Sequence, residues 1–113
     1  MATAWVLRDV AVLVAARLEG SERSPARRIA RWDAADEAVV LGRARSLRLG
    51  ATCPAVDVAF LDHELVVLDT TRLVRWRLTR PRRRGRSVLV ARAGSFERWH
   101  LQVGDQLEIR EAT

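Results

Sequence analysis

Apolar residues in this chain come in short runs rich in Val and Leu, and each run is stopped before it could complete a long helix. The clearest are Val56 to Leu61, Leu65 to Leu68, Leu73 to Leu78, Ser87 to Ala91 and Gln106 to Arg110. Asp62-His63, Pro81, Gly85, Gly94 and Gly104-Asp105 separate them, and these residue types turn the chain or remove a ladder donor. Runs of this length and composition read as β-strands. Isolated hairpins are marginal in water, so such strands persist only by sharing a sheet and a core.

The chain has 113 residues, enough for one core, so the expectation is a single domain over residues 1–113. Hydrophobic residues make up 49% and mean hydropathy is close to zero, a composition that excludes a disordered tail. The longest early apolar run, from Val10 to Ala16, falls well short of a bilayer, and the first residues lack a signal-peptide pattern. Cytoplasmic location with no membrane partner is therefore expected. The one cysteine, Cys53, can form no intramolecular disulfide and is expected to be buried and inert.

In the N-terminal half, Trp5 to Leu7 and Val10 to Ala15 read as two strands around Arg8-Asp9, or as one strand with a bulge. Ser24 as N-cap and Pro25 at the first helical position predict a short helix over about Pro25 to Trp32, with Ile29 and Trp32 on one face and Arg27, Arg28 and Arg31 outward. Ala38 to Leu41 reads as a buried strand and Arg45 to Leu49 as a half-exposed one. The short polar link at Asp62-His63 predicts a hairpin. Alternation in Leu73 to Leu78 places Val74, Trp76 and Leu78 toward the core, leaving Arg75 and Arg77 outside, about 6.7 Å apart. Ser95 can cap a short helix ending at Trp99. The sum is a mainly β protein, a small β-barrel or sandwich of about eight short strands with one or two short helices.

Net charge is +6, and all 20 cationic residues are arginine. GC-rich coding alone favours arginine over lysine, so clustering carries more information than the total, because locally summed charge sets the field a partner meets. Between Arg72 and Arg86 there are eight arginines and no acidic residue. Arg75, Arg77, Arg82, Arg83 and Arg84, with Arg48 and Asp57, are the candidate ligand- or anion-binding residues. A polyanion or nucleic acid could be gripped through its phosphates by the segment 72–86. With no tyrosine, two phenylalanines and Trp76 directed inward, the stacking platform of a single-strand binder is missing, so nucleic acid is the less favoured partner.

Acid–base catalysis needs two carboxylates, or a histidine and a carboxylate, converging on one pocket. Asp57, Asp62, His63, Glu64 and Asp69 are the candidates, of which Asp62 to Glu64 read as a polar turn and Asp69 as a strand end. Asp57 stands out because it lies between Val56 and Val58 and shares a face with Ala59 and Leu61. It is either exposed on an edge or buried against a donor such as Arg48, Arg75 or Arg77, and a structural ion pair or capping role is the favoured reading. His100, after Trp99, reads as a surface residue. Nucleophile-elbow and phosphate-loop motifs are absent, and two histidines with one cysteine argue against zinc, so no cofactor is expected.

From Ser46 to Glu111 the chain resembles the family called Domain of Unknown Function 192, also uncharacterised protein family 0127. The resemblance is carried by Ala55-Val56-Asp57-Val58-Ala59-Phe60-Leu61-Asp62, by Leu65 to Asp69, Trp76-Arg77, Val88-Leu89-Val90, Ala93-Gly94 and Val103-Gly104-Asp105, in the family's order. Two strips depart from its pattern. Arg28-Ile29-Ala30-Arg31-Trp32 lacks the family's glycine, and Arg48 to Cys53 with Pro54 replaces the polar segment before the proline. The resemblance implies a small β-barrel-like scaffold without an assigned activity, whose polar strip this chain has lost. The favoured expectation is a non-catalytic ligand- or protein-interaction module, with a protein or an anionic ligand as partner. The alternatives are a polyanion binder using residues 72–86 and a divergent enzyme with a carboxylate/arginine pocket around Asp57.

Overall fold

In the computed structural model, residues 2–19, 26–29, 32, 37–50, 53–74 and 77–111 are described. The strands are β1 (Ala2–Arg8), β2 (Ala11–Glu19), β3 (Ala26–Ile29), β4 (Ala38–Gly42), β5 (Ser46–Leu49), β6 (Val56–Leu61), β7 (Val67–Leu73), β8 (Ser87–Arg92) and β9 (Glu108–Glu111), with one helix, α1 (Ser95–Trp99). The protein is mainly β, as expected. Seven strands form one sheet in the order β7-β6-β8-β4-β2-β1-β9, and β3 and β5 form a separate parallel pair. No helix among the described residues is long and apolar enough to cross a membrane.

Strands β4, β6 and β8 are covered on both faces, which is why their sequences are nearly continuous apolar runs instead of alternating ones. On one face Val39, Leu41, Val58, Phe60, Val88 and Val90 meet Ile29, Leu47 and Leu49 of the β3–β5 pair. On the other, Val40, Ala59, Leu61, Leu89 and Ala91 meet Val6 and Val14 from the curled β1–β2 hairpin, together with Phe96, Leu101 and Leu107. The sheet bends far enough for its edges to meet at one end. There Val66 bridges Gln106, Leu107 N–H donates to Leu65 O (2.9 Å), Val67 N–H to Asp105 O (2.8 Å) and Gly104 N–H to Val67 O (2.8 Å). Gly104 has φ 94°, a backbone conformation glycine adopts without penalty.

Three expectations need correction. Within the helix predicted over Pro25 to Trp32, Ala26–Ile29 is a strand paired in parallel with Ser46–Leu49; Ser24, Pro25 and Arg31 lie outside the described residues. Ile29 and Trp32 are buried, so the apolar pattern was real, but four residues gain more from a neighbouring strand than from one turn of helix. Strand β7 ends at Leu73. The chain then crosses to β5, where Leu49 N–H donates to Arg77 O (3.0 Å) and Thr79 N–H to Leu47 O (2.9 Å). Leu73 is buried while Val74 and Leu78 are exposed, the reverse of the predicted face; Arg75 and Trp76 lie outside the described residues. Finally, Gly94, in left-handed geometry, occupies the N-cap of α1 in place of Ser95, and no side chain of the helix caps it locally.

Candidate functional site

Asp57 lies on β6 under the start of α1 and is 5% exposed. Both its oxygens are engaged. Oδ2 accepts from Gly94 N–H (2.9 Å) and Phe96 N–H (3.1 Å), and Oδ1 accepts from Arg72 Nε (3.1 Å). The carboxylate thus satisfies amides at the helix start that no intrahelical carbonyl could reach. Among the described residues its arginine is Arg72, the directly opposite residue of β7, and not Arg48 or Arg77; Arg75 lies outside the described residues. Opposite charges at facing positions of antiparallel strands attract, so the hairpin register itself brings this pair together.

The other end of α1 is held from the far side of the sheet. Arg8, at the end of β1, donates to the carbonyls of Trp99 and His100 and to Asp105 Oδ2 (3.0 Å). His100 adopts φ 54° and its N–H donates to Glu97 O, while Leu101 N–H reaches Phe96 O, the paired bonds of a Schellman motif. A five-residue helix too short to be stable alone is therefore fixed by a carboxylate at its positive end and a guanidinium at its negative end. Cys53, the single thiol, is buried and donates to Ile29 O (3.3 Å).

The remaining candidates among the described residues lie at the surface. Arg48 and Arg77 are exposed on adjacent segments, joined by the Arg48–Leu78 bridge. Arg82 is occupied: Nε and NH2 donate to Asp69 Oδ2 (3.1 and 2.8 Å), NH1 donates to Arg80 O, and the guanidinium carbon lies 4.6 Å from the centre of the Phe60 ring. Salt bridge and cation–π contact together lock it over the core. Arg83 and Arg84 are exposed, with no hydrogen bond or ion pair from their side chains among the described residues.

Arg83, Arg84 and Arg86 line an open recess of about 510 Å³ together with Asp62 and His63. Its rim is held by backbone bonds: Arg82 N–H to Arg45 O, Gly85 N–H to Arg82 O, Arg86 N–H to Leu61 O and Ala44 N–H to Arg86 O. A side chain at Gly85 would be crowded there, because a Cβ would stand 3.0 Å from Arg82 O and 3.5 Å from Arg45 Cα. Asp62 holds the opposite rim, with Oδ1 accepting from Glu64 N–H (2.8 Å) and Val66 N–H (3.0 Å). The Val66 N–H above all, aided by the Glu64 N–H and by nearby His63 and Arg84, keeps the Asp62 carboxyl below its ordinary range against a desolvation penalty. In the sequence His63 belongs to a polar turn and Arg86 to the basic segment 72–86; only the docking of loop 80–86 on the hairpin turn brings them together.

No protein-family model matches the sequence, and no curated protein matches it. Solved structures are similar in fold. A crystal structure of a Sinorhizobium meliloti 1021 protein described as a candidate transcription regulator superposes with a TM-score of 0.72 at 17% identity, covering 96% of this chain and 92% of that one. A Novosphingobium aromaticivorans DSM 12444 protein of unknown function superposes with a TM-score of 0.68 at 16% identity, covering 94% and 83%. At these identities the likeness is one of fold.

Proposed function

We propose that the chain is a divergent relative of the Domain of Unknown Function 192 family, working as a non-catalytic module that binds a ligand or protein partner at its outer surface. The family reading is supported by the placement of the motifs that suggested it. The Ala55 to Asp62 segment contains central strand β6, Val88-Leu89-Val90 lies in β8, Ala93-Gly94 leads into α1, and Val103-Gly104-Asp105 makes the turn that joins the sheet edges.

The observation that carries the non-catalytic reading is the state of Asp57. A general base needs a free lone pair facing substrate, and this carboxylate has its oxygens committed to two backbone amides and an arginine beneath a helix. The test is turnover of activated esters and phosphomonoesters by the wild type and by D57N, read at a temperature where both are folded. We expect no turnover that depends on Asp57, together with saturable ligand binding in both proteins. Hydrolysis abolished in a folded D57N protein would overturn the reading.

A second reading, polyanion binding, is favoured by one observation: exposed Arg48 is bridged to Leu78, the residue after exposed Arg77, and the Arg45 carbonyl of the same region accepts from loop 80–86. Binding of that kind weakens steeply with salt and depends on Arg48 and Arg77.

A further inference from the structure

We infer that the recess between the β6–β7 turn and loop 80–86 is a binding site for the phosphoryl group of a small phosphorylated ligand. The inference deepens the module reading by assigning the site and the chemical class of its ligand. Three arginines, Arg83, Arg84 and Arg86, line it with one acidic residue, Asp62. Asp62 is held by the backbone of its own turn through Oδ1 and lies near Arg84, with no salt bridge to an arginine of the recess among the described residues. Guanidinium is the side-chain group best matched to a phosphoryl oxyanion, because it offers several fixed donors and never loses its charge.

Burial, neighbours and shape agree on this assignment. Arg82 is tied to Asp69 and Phe60, so its own charge is unavailable, but its backbone anchors the loop at Arg45 and through Gly85. The arginines are therefore carried on a preformed backbone frame, which lowers the ordering cost of binding. A volume of about 510 Å³ lies in the range of small-molecule sites and is far from the extended groove a nucleic-acid strand requires. His63, 74% exposed, lines the recess too, with its Nε2 3.4 Å from Glu64 Oε1. Apart from the imidazole the lining offers no aromatic face, so charge and donor geometry, not base stacking, provide the recognition.

The test is calorimetric titration of the full chain with inorganic pyrophosphate, at low and at physiological ionic strength, with a mixed single-stranded oligonucleotide and sulfate in parallel. R83A, R84A and R86A are compared with R110A, whose side chain pairs with Glu108 on β9. All four positions are exposed, so the variants are expected to fold. The expected result is one pyrophosphate per chain, weakened about tenfold by each recess variant and unchanged by R110A. Absence of saturable pyrophosphate binding, or equal weakening by R110A, overturns the site. So does oligonucleotide binding that outcompetes pyrophosphate and is lost equally in R48A and R77A, which would assign the arginines to a polyanion face. None of these failures bears on the non-catalytic reading, which is decided by turnover.

Discussion

Replacing Asp57 by asparagine leaves its shape almost unchanged, yet turns one acceptor oxygen into a donor facing either the Arg72 guanidinium or the amides of Gly94 and Phe96. Either choice strands a buried donor, so D57N is expected to lose about 2–4 kcal/mol of unfolding free energy in urea titrations. A loss under about 0.5 kcal/mol, the usual size of a neutral surface change, would refute the capping role. Asp62 makes a different prediction because its carboxyl is held below its ordinary range in the folded state. Such a group stabilises the fold above its unfolded pKa, and the contribution is lost as pH falls through the folded one. D62A should therefore be less stable than wild type at neutral pH, with the two stability curves converging below the carboxylate range. Parallel curves down to acid pH would contradict this. At this scale Asp57 was legible as an anomaly, a charge between valines. Its partners were not, since Gly94 and Phe96 are distant in sequence and Arg72 becomes adjacent only once the hairpin register is known.

At the scale of elements, what could be read depended on whether the local pattern and the tertiary neighbour asked for the same conformation. Strands β4, β6 and β8 are β-rich and buried on two faces, and their sequences say so. Residues 26–29 follow a helix-start signature at Ser24-Pro25 but lie beside β5, whose backbone supplies partners that a single helical turn could not. The alternation in Leu73 to Leu78 suggested one strand, although the chain leaves β7 after Leu73 to join β5. The turn of the β1–β2 hairpin shows another conflict. Asp9 and Val10 both have positive φ, at 52° and 59°, as a two-residue turn of matching twist demands. Val10 is 84% exposed and β-branched, the worst kind of residue for that backbone. V10G is accordingly expected to raise stability by about 1 kcal/mol, measured as a higher melting temperature. A lower one would mean that Val10 contributes contacts worth more than its strain.

At the scale of the whole molecule, the two layers of core meet across β4, β6 and β8, and the recess lies where loop 80–86 docks on the hairpin turn. No local pattern predicts that docking, because it depends on backbone bonds from residues 82 and 86 to Arg45 and Leu61 and on a close approach that a glycine at position 85 eases. The same dependence on distant partners sets an order in time. β1 is seated between β2 and β9, and Arg8 at its end holds the carbonyls of Trp99 and His100. During synthesis the first strand can pair early with β2, but its second edge stays open until nearly the last described residues have left the ribosome. Until then the chain carries an open strand edge beside an unfinished core, so the interval between making β8 and making β9 leaves it exposed to mispairing with other chains.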